Sequence, residues 1–415
     1  MEAVLNRSKA HRPGLDGAPA PRRAWLLALA VAALVAPAMS QVPPREKAQA
    51  LFRQGAIYLD GGDAPSAEPL LRQATLLDPG NALALSYLGH ALLAQRRYSE
   101  AAVALQESLR LDRASPGLGL KQRRQTTDGL GLSLAFQGFL REAAEVYSTA
   151  LTEDPGYPSF SYNRACVLAL DGRTHDALQS LVAALDADAR VPGGATLPDP
   201  SLDEDFRGLQ GTPRFQAALL MHLPPQPNDG PSSTAMRAGA GLLARGRSEE
   251  AASRLRAAAG IDPSEPWAWY LLGGALLETG PPEEAAEAFL RSLQEDLKTS
   301  RLPMPAVRFA GLRSGAWLWE QGRLEEAALA LNRASAAAPA HPWPHYLLAR
   351  LHAQAGRPEE ALRSLGLAVR HREELSPGEA LLPDPRSDPA FSALSTSPGW
   401  AAAVEPLGPG SKPHP

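Results

Sequence analysis

The chain is poor in the residues that build most active sites and most extracellular frameworks. It has one cysteine, Cys166, in 415 residues. A lone thiol cannot close an internal disulfide, so the fold must rest on its apolar core. Cys166 also lacks the second cysteine or adjacent histidine of a redox or haem-attachment motif, and it reads as a small apolar residue or, failing that, an exposed reactive thiol. β-branched residues are scarce beside Ala and Leu, a composition that disfavours sheet and favours helix. No Gly-rich loop ending in Lys-Ser/Thr is present, no GxGxxG follows a strand, and no HExxH occurs. These absences exclude the common nucleotide, dinucleotide and zinc-protease chemistries.

No apolar run is long enough to cross a bilayer. The prominent one, residues 24–36, has 13 residues where roughly 20 are needed. It follows a basic stretch with Arg7, Lys9, Arg12, Arg22 and Arg23, and precedes Ala38-Met39-Ser40. Small residues at −3 and −1 before Gln41 make residues 1–40 a secretion signal. The expectation is export to the periplasm or medium with the signal cleaved and no membrane insertion afterwards. The alternative is an inner-membrane anchor through uncleaved residues 24–40. Loss of the signal moves the net charge from −4 to about −7. A mildly acidic surface repels phosphate backbones, so nucleic acid is not an expected partner.

What is there is repetition. Gly55, Ala67, Leu71, Ala74 and Pro79 set a pattern that recurs near every 34 residues. Units starting at 48, 82, 124 and 158 are matched by units at 232, 266, 308 and 342, each offset by 184. The irregularity is copied too, with eight extra residues at 116–123 and again at 300–307. In the sixth unit Trp269, Leu272, Gly273 and Leu276 form one helical stripe. A break at Gly280-Pro281-Pro282 leads to a second helix carrying Ala285, Phe289 and Ser292. Gly273 and Ala285 predict close approach of the two helices, small residue against small residue. A period in this range marks stacked supersecondary units.

These residues resemble the tetratricopeptide repeat, whose pattern is W-x2-L-G-x2-Y followed by A, F, A and P. The first unit carries it through Leu51, Gly55, Tyr58, Ala67, Leu71, Ala74 and Pro79, while the second has Arg113 where Pro is expected. The resemblance implies an all-α fold, an α-α superhelix of two tandem four-repeat arrays. Each array ends in a capping segment: Leu197-Pro198-Asp199-Pro200 through Phe215, and Leu382-Pro383-Asp384-Pro385 through Trp400. Such end pieces are apolar inside and polar outside. The organisation expected is a signal at 1–40, a first array with cap at 44–222, a linker at 223–231, a second array with cap at 232–406 and a disordered tail at 407–415.

No catalytic, metal or cofactor constellation emerges. His341, His345 and His352 fit packing or surface roles better than a metal, because no carboxylate or cysteine stands at ligand spacing. Glu249-Glu250, Glu283-Glu284, Glu325-Glu326 and Glu359-Glu360 recur early in the second helix of their units, which marks helix N-terminus stabilisation rather than acid–base work. The resemblance implies that unit positions 2, 5, 9 and 12 line a concave groove. In the second array these include Trp267, Tyr270, Phe309, Leu312, Trp319, Trp343, Tyr346 and Arg350. In the first they include Phe52, His90, Phe136, Tyr162 and Cys166. Exposed aromatics beside an Arg are what binding hot spots use; the competing reading is that they pack against neighbouring helices or the linker. The Lys and Asn that grip a peptide carboxylate in some relatives are reduced to Asn163, Arg313 and Arg350. The function expected is a non-enzymatic module binding a peptide or helical segment of a protein partner, as scaffold or adaptor of an envelope complex. The alternative is a structural spacer that works through caps and edges with the groove unused.

Overall fold

The computed structural model describes residues 43–192, 196–223, 230–375 and 379–405. The predicted signal, linker residues 224–229 and the tail from 407 lie outside the described residues. The chain divides into two compact units, up to Val167 and from Leu168.

The described residues are helical, with no strand among them. Up to Leu170 the helices are α1 (Pro44–Asp60), α2 (Ala64–Leu77), α3 (Ala82–Ala94), α4 (Tyr98–Ala114), α5 (Leu120–Phe136), α6 (Leu140–Glu153) and α7 (Pro158–Leu170). Next come α8 (Thr174–Asp188), two 3-10 turns (Pro200–Leu202, Glu204–Phe206) and α9 (Pro213–His222). The second array holds α10 (Pro231–Ala244), α11 (Ser248–Ile261), α12 (Pro266–Thr279), α13 (Pro282–Thr299), α14 (Met304–Glu320), α15 (Leu324–Ala337), α16 (Pro342–Gln354) and α17 (Pro358–Arg370). A 3-10 turn (Pro389–Leu394) and the short α18 (Trp400–Val404) close the chain. From α3 to α8 the helix starts recur 184 residues later in α12 to α17, as the sequence offset predicts.

Local chemistry sets the boundaries. Turns between paired helices place a glycine in the left-handed region, for instance Gly172 at φ 73° and Gly322 at φ 75°. The next helix begins with an Arg that grips an acid three residues on, as Arg247 does Glu250 at 2.5 Å and Arg173 does Asp176 at 2.5 Å. The paired glutamates do sit in the first turns of α11, α13, α15 and α17, where the helix dipole favours negative charge.

The paired helices approach as closely as the small residues predict: a Cβ on Gly55, Gly239 or Gly315 would lie 3.3, 3.5 or 3.4 Å from the carbonyl of Ala67, Ala251 or Ala327. The glycine also admits a large neighbour. A Cβ on Gly273 would lie 2.8 Å from the ring of Phe289, so the missing side chain makes room for a large one across the pair. Gly131 does the same for Tyr147, at 2.3 Å. Of the eight extra residues, the last four in each array are helix and the first four form a bend. The helical four let α5 and α14 begin four residues before the unit starts at 124 and 308. A buried acid ties down each remaining bend: Asp112 Oδ1 accepts from the Gly117 and Leu118 amides at 2.8 and 2.7 Å, and Asp296 Oδ1 accepts from the Leu302 amide at 2.8 Å. Burial raises the Asp112 pKa, but Arg123 and the two amides outweigh it and hold the carboxyl below its ordinary value.

Candidate functional site

The eight residues expected to line the second groove do not share one environment. Tyr270 and Tyr346 are fully buried, whereas Trp267, Phe309, Leu312, Trp319, Trp343 and Arg350 are half-buried. The two tyrosines are therefore not exposed recognition residues. Both are sealed by segments of the chain that follow an array.

Tyr346 donates its hydroxyl to Asp388 Oδ2 at 2.5 Å, and its ring meets Phe391 edge-on at 5.6 Å. Trp343 donates its indole N–H to the Ala380 carbonyl at 2.9 Å, and Arg350 Nε lies 3.5 Å from Asp388. All three stand at groove positions of α16, so residues 380–391 lie along the face that a partner was expected to take. The Tyr346 hydroxyl is pushed up first by burial and then by its bond to Asp388. Asp388 also caps the closing 3-10 turn through the Ala390 amide at 2.9 Å. Tyr270 donates to the Gly211 carbonyl at 2.5 Å, and burial pushes its hydroxyl far up. Gly211 rests on Pro305 and Phe309 so closely that a Cβ would come within 2.5 Å of the Pro305 carbonyl. Pro213 plugs the space over Gly274, where a Cβ would meet it at 2.1 Å.

The chain beyond the cap expected at Leu197 through Phe215 packs on into the second array. Ala217 and Ala218 of α9 join a core with Leu243, Leu255, Leu272 and Phe289 of the second array. Phe391, an aromatic of the closing segment expected to dock on the last helix, does so, packing with Leu365 and Ala368 of α17; sequence reading missed Gly211, Pro213 and Asp388 as groove occupants. The one available signal was the Asp-x-x-Phe spacing shared by Asp203–Phe206 and Asp388–Phe391.

The Arg350 guanidinium also lies 4.5 Å from the centre of the Trp319 ring, and that of Arg313 lies 5.3 Å from Phe309. The Trp319 indole nitrogen has no acceptor among the described residues. A hollow of about 260 Å3 is lined by Gln210, Pro305, Arg308, Pro339 and His341. The three histidines are engaged within the fold or half-covered. His341 Nε2 lies 3.1 Å from Glu379, and His345 Nε2 lies 2.7 Å from the Pro339 carbonyl. His352 is half-buried. In the first array Phe52 packs edge-on against Tyr87 at 5.3 Å, Phe136 stacks on Tyr98 at 4.7 Å, and Asn163 donates to Asp128 at 2.9 Å. Tyr162 and Cys166 are buried and His90 is half-buried.

Successive helix pairs packed through an Ala- and Leu-rich seam, with aromatic surface on one face, define an α-solenoid of the protein-interaction class. The chain belongs to the tetratricopeptide repeat family. Family profiles of that description match residues 52–117 and 129–192, and residues 242–302 and 318–374. No curated protein matches it. Among solved structures it is similar to a tetratricopeptide repeat protein from Parabacteroides merdae, at 14% identity over 71% of this chain and 94% of that one, with a TM-score of 0.30. It is also similar to the C-terminal part of a repeat protein from Cytophaga hutchinsonii, at 10% identity over 69% and 95%, TM-score 0.35. Pseudomonas aeruginosa PilF matches at 18% identity over 62% and 94%, TM-score 0.29.

Proposed function

We propose that this protein is an exported, non-catalytic adaptor that takes a peptide or helical segment of a protein partner on the concave face of its second array. The observation that carries this reading is the row Trp267, Leu312 and Trp319. These large side chains stand at groove positions and stay only half-buried, while Tyr270 and Tyr346 in the same register are sealed. Rigid aromatic anchors lose little conformational entropy when they bind, and a preformed helical face lowers the cost of ordering a partner. Arg313, exposed beside Phe309, supplies a cation at the rim.

The test is the double variant Trp267→Ala, Trp319→Ala in the full chain, used as bait against the cell-envelope fraction. Partner recovery should fall at least tenfold while helical content stays unchanged. Recovery of the same partners at the same yield sinks the groove reading. That outcome favours the spacer, which has its own supporting observation: the chain's own residues 380–391 lie on the α16 face. Export is tested separately by N-terminal sequencing of the native protein, where the expected first residue is Gln41 and a chain retaining residues 24–40 gives the anchored form.

A further inference from the structure

The duplication supplies an internal comparison, and it exposes a second surface. In the first unit α4, α5 and α6 enclose a solvent-open cleft of about 830 Å3. Its walls are one stripe of α4 (Val103, Arg110) and one of α6 (Glu142, Val146), with Leu130 and Leu134 of α5 as floor. Val103 is 69% exposed there, an apolar side chain left largely uncovered by the described residues.

The same place in the second array is bridged. Arg333, the counterpart of Thr149, reaches across from α15 to Asp296 at 2.6 Å. Gly311, the counterpart of Thr127, lets α14 lie against α15 so tightly that a Cβ would fall 2.4 Å from the Ala330 carbonyl and 2.9 Å from the Ala334 methyl. Thr127 cannot be accommodated at that distance, so it holds α5 away from α6. Tyr147, standing where the second array has Leu331, widens the gap further. The cleft therefore follows from identifiable substitutions between two copies of one pattern.

We propose that this cleft is a docking site for an amphipathic helix of a partner protein whose apolar stripe is flanked by Lys or Arg. The lining stripes span about 10 residues of helix, or about 15 Å, the length of roughly three turns of a bound helix. Charge chooses the partner's flank. The cations of the cleft are already engaged: Arg110 by Glu107 at 2.6 Å, Arg123 by Asp112 at 2.7 Å and Arg113 by Glu153 at 3.9 Å. Glu142 and Glu145 are exposed on the α6 wall with no cation in ion-pair reach among the described residues. The unbalanced charge facing the cleft is negative, and an occupant with basic flanks complements it. This site is separate from the concave face of the second array and stands or falls without it.

The experiment uses the full chain and two labelled helix-forming peptides that share a Leu/Ala stripe, one flanked by Lys and the other by Glu, read by fluorescence anisotropy at physiological salt. The Lys peptide should bind saturably at roughly micromolar affinity, at least tenfold tighter than the Glu peptide. Thr149→Arg, which installs the residue that bridges the second array, should weaken it at least tenfold. Glu142→Lys with Glu145→Lys should invert the preference, whereas Trp267→Ala with Trp319→Ala should leave it unchanged. Thermal melts accompany each variant, and the exposed Glu142/Glu145 pair carries the test if Thr149→Arg does not fold. Equal binding of both peptides, undiminished binding by Thr149→Arg, or binding of an apolar dye in the cleft with neither peptide bound would overturn the proposal.

Discussion

Arg96 occupies the turn between α3 and α4 at φ 60°, the place where Gly138, Gly172, Gly246, Gly322 and Gly356 serve elsewhere. An L-residue there costs about 1 kcal/mol relative to glycine. Arg96→Gly should raise stability by that order, seen as a higher denaturant midpoint with an unchanged slope. His90 argues in the opposite direction. Burial against α5 drops its pKa to about 4, and its Nε2 has no partner among the described residues. The unfolded chain has a histidine near 6.5 and so binds a proton that the folded chain refuses. Stability is therefore full above about pH 6.5 and declines as pH falls towards 4, by up to about 3 kcal/mol. His90→Gln should flatten this part of the curve in urea melts at stepped pH. A decline of the same size in the variant would show that other groups carry it. Asp112 adds a loss at lower pH: its carboxyl is held below its ordinary value, so what it contributes is present above about pH 4 and disappears as it is protonated.

Helix pairs and their turns were legible because each is fixed by residues a few positions apart. The 184-residue offset, the glycine turns and the acidic first turns carry over from sequence to structure for that reason. The closing segments were legible as caps carrying a docking aromatic, but their reach over the groove face was not. Nothing periodic announces that Asp388 will meet a tyrosine 42 residues earlier, or that Gly211 will accept from a tyrosine 59 residues later. Of the candidate groove residues, sequence could assign a face but not whether the chain would return to cover it. Tyr346→Phe tests the closing element. It leaves the packing against Phe391 and removes one hydrogen bond from a carboxylate that is only 7% exposed, which keeps the Ala390 amide and the Arg350 contact. The cost should be about 1–3 kcal/mol, and limited proteolysis should cut sooner after Arg372 or Arg386 while α12–α15 stay protected. Unchanged cleavage would mean that Phe391 and Trp400 hold the segment without the hydroxyl.

Stacked repeats are stabilised chiefly by their neighbours, so where a stack ends decides what a fragment can do. By sequence the second array begins at 232, after a linker. In the structure from Leu168 onward, Val182 of α8 and Ala217 and Ala218 of α9 belong to the same core as α10–α14. Asp186 of α8 adds an ion pair to Arg245 of α10 at 3.0 Å and lies 3.1 Å from His222 of α9. A fragment cut at the linker would strip Pro213 from Gly274 and remove the Gly211 carbonyl from the buried Tyr270 hydroxyl. An unpaired buried hydroxyl alone costs about 1–3 kcal/mol, and the lost apolar cover adds a comparable amount. At about 2–4 °C per kcal/mol for a domain of this size, the melting midpoint of residues 230–405 should fall about 10 °C below that of residues 158–405, which keep α7–α9. The shorter fragment should also bind an apolar dye that the longer one excludes. Equal midpoints and equal dye binding would mean that the second array is closed on its own and that α9 only rests on it.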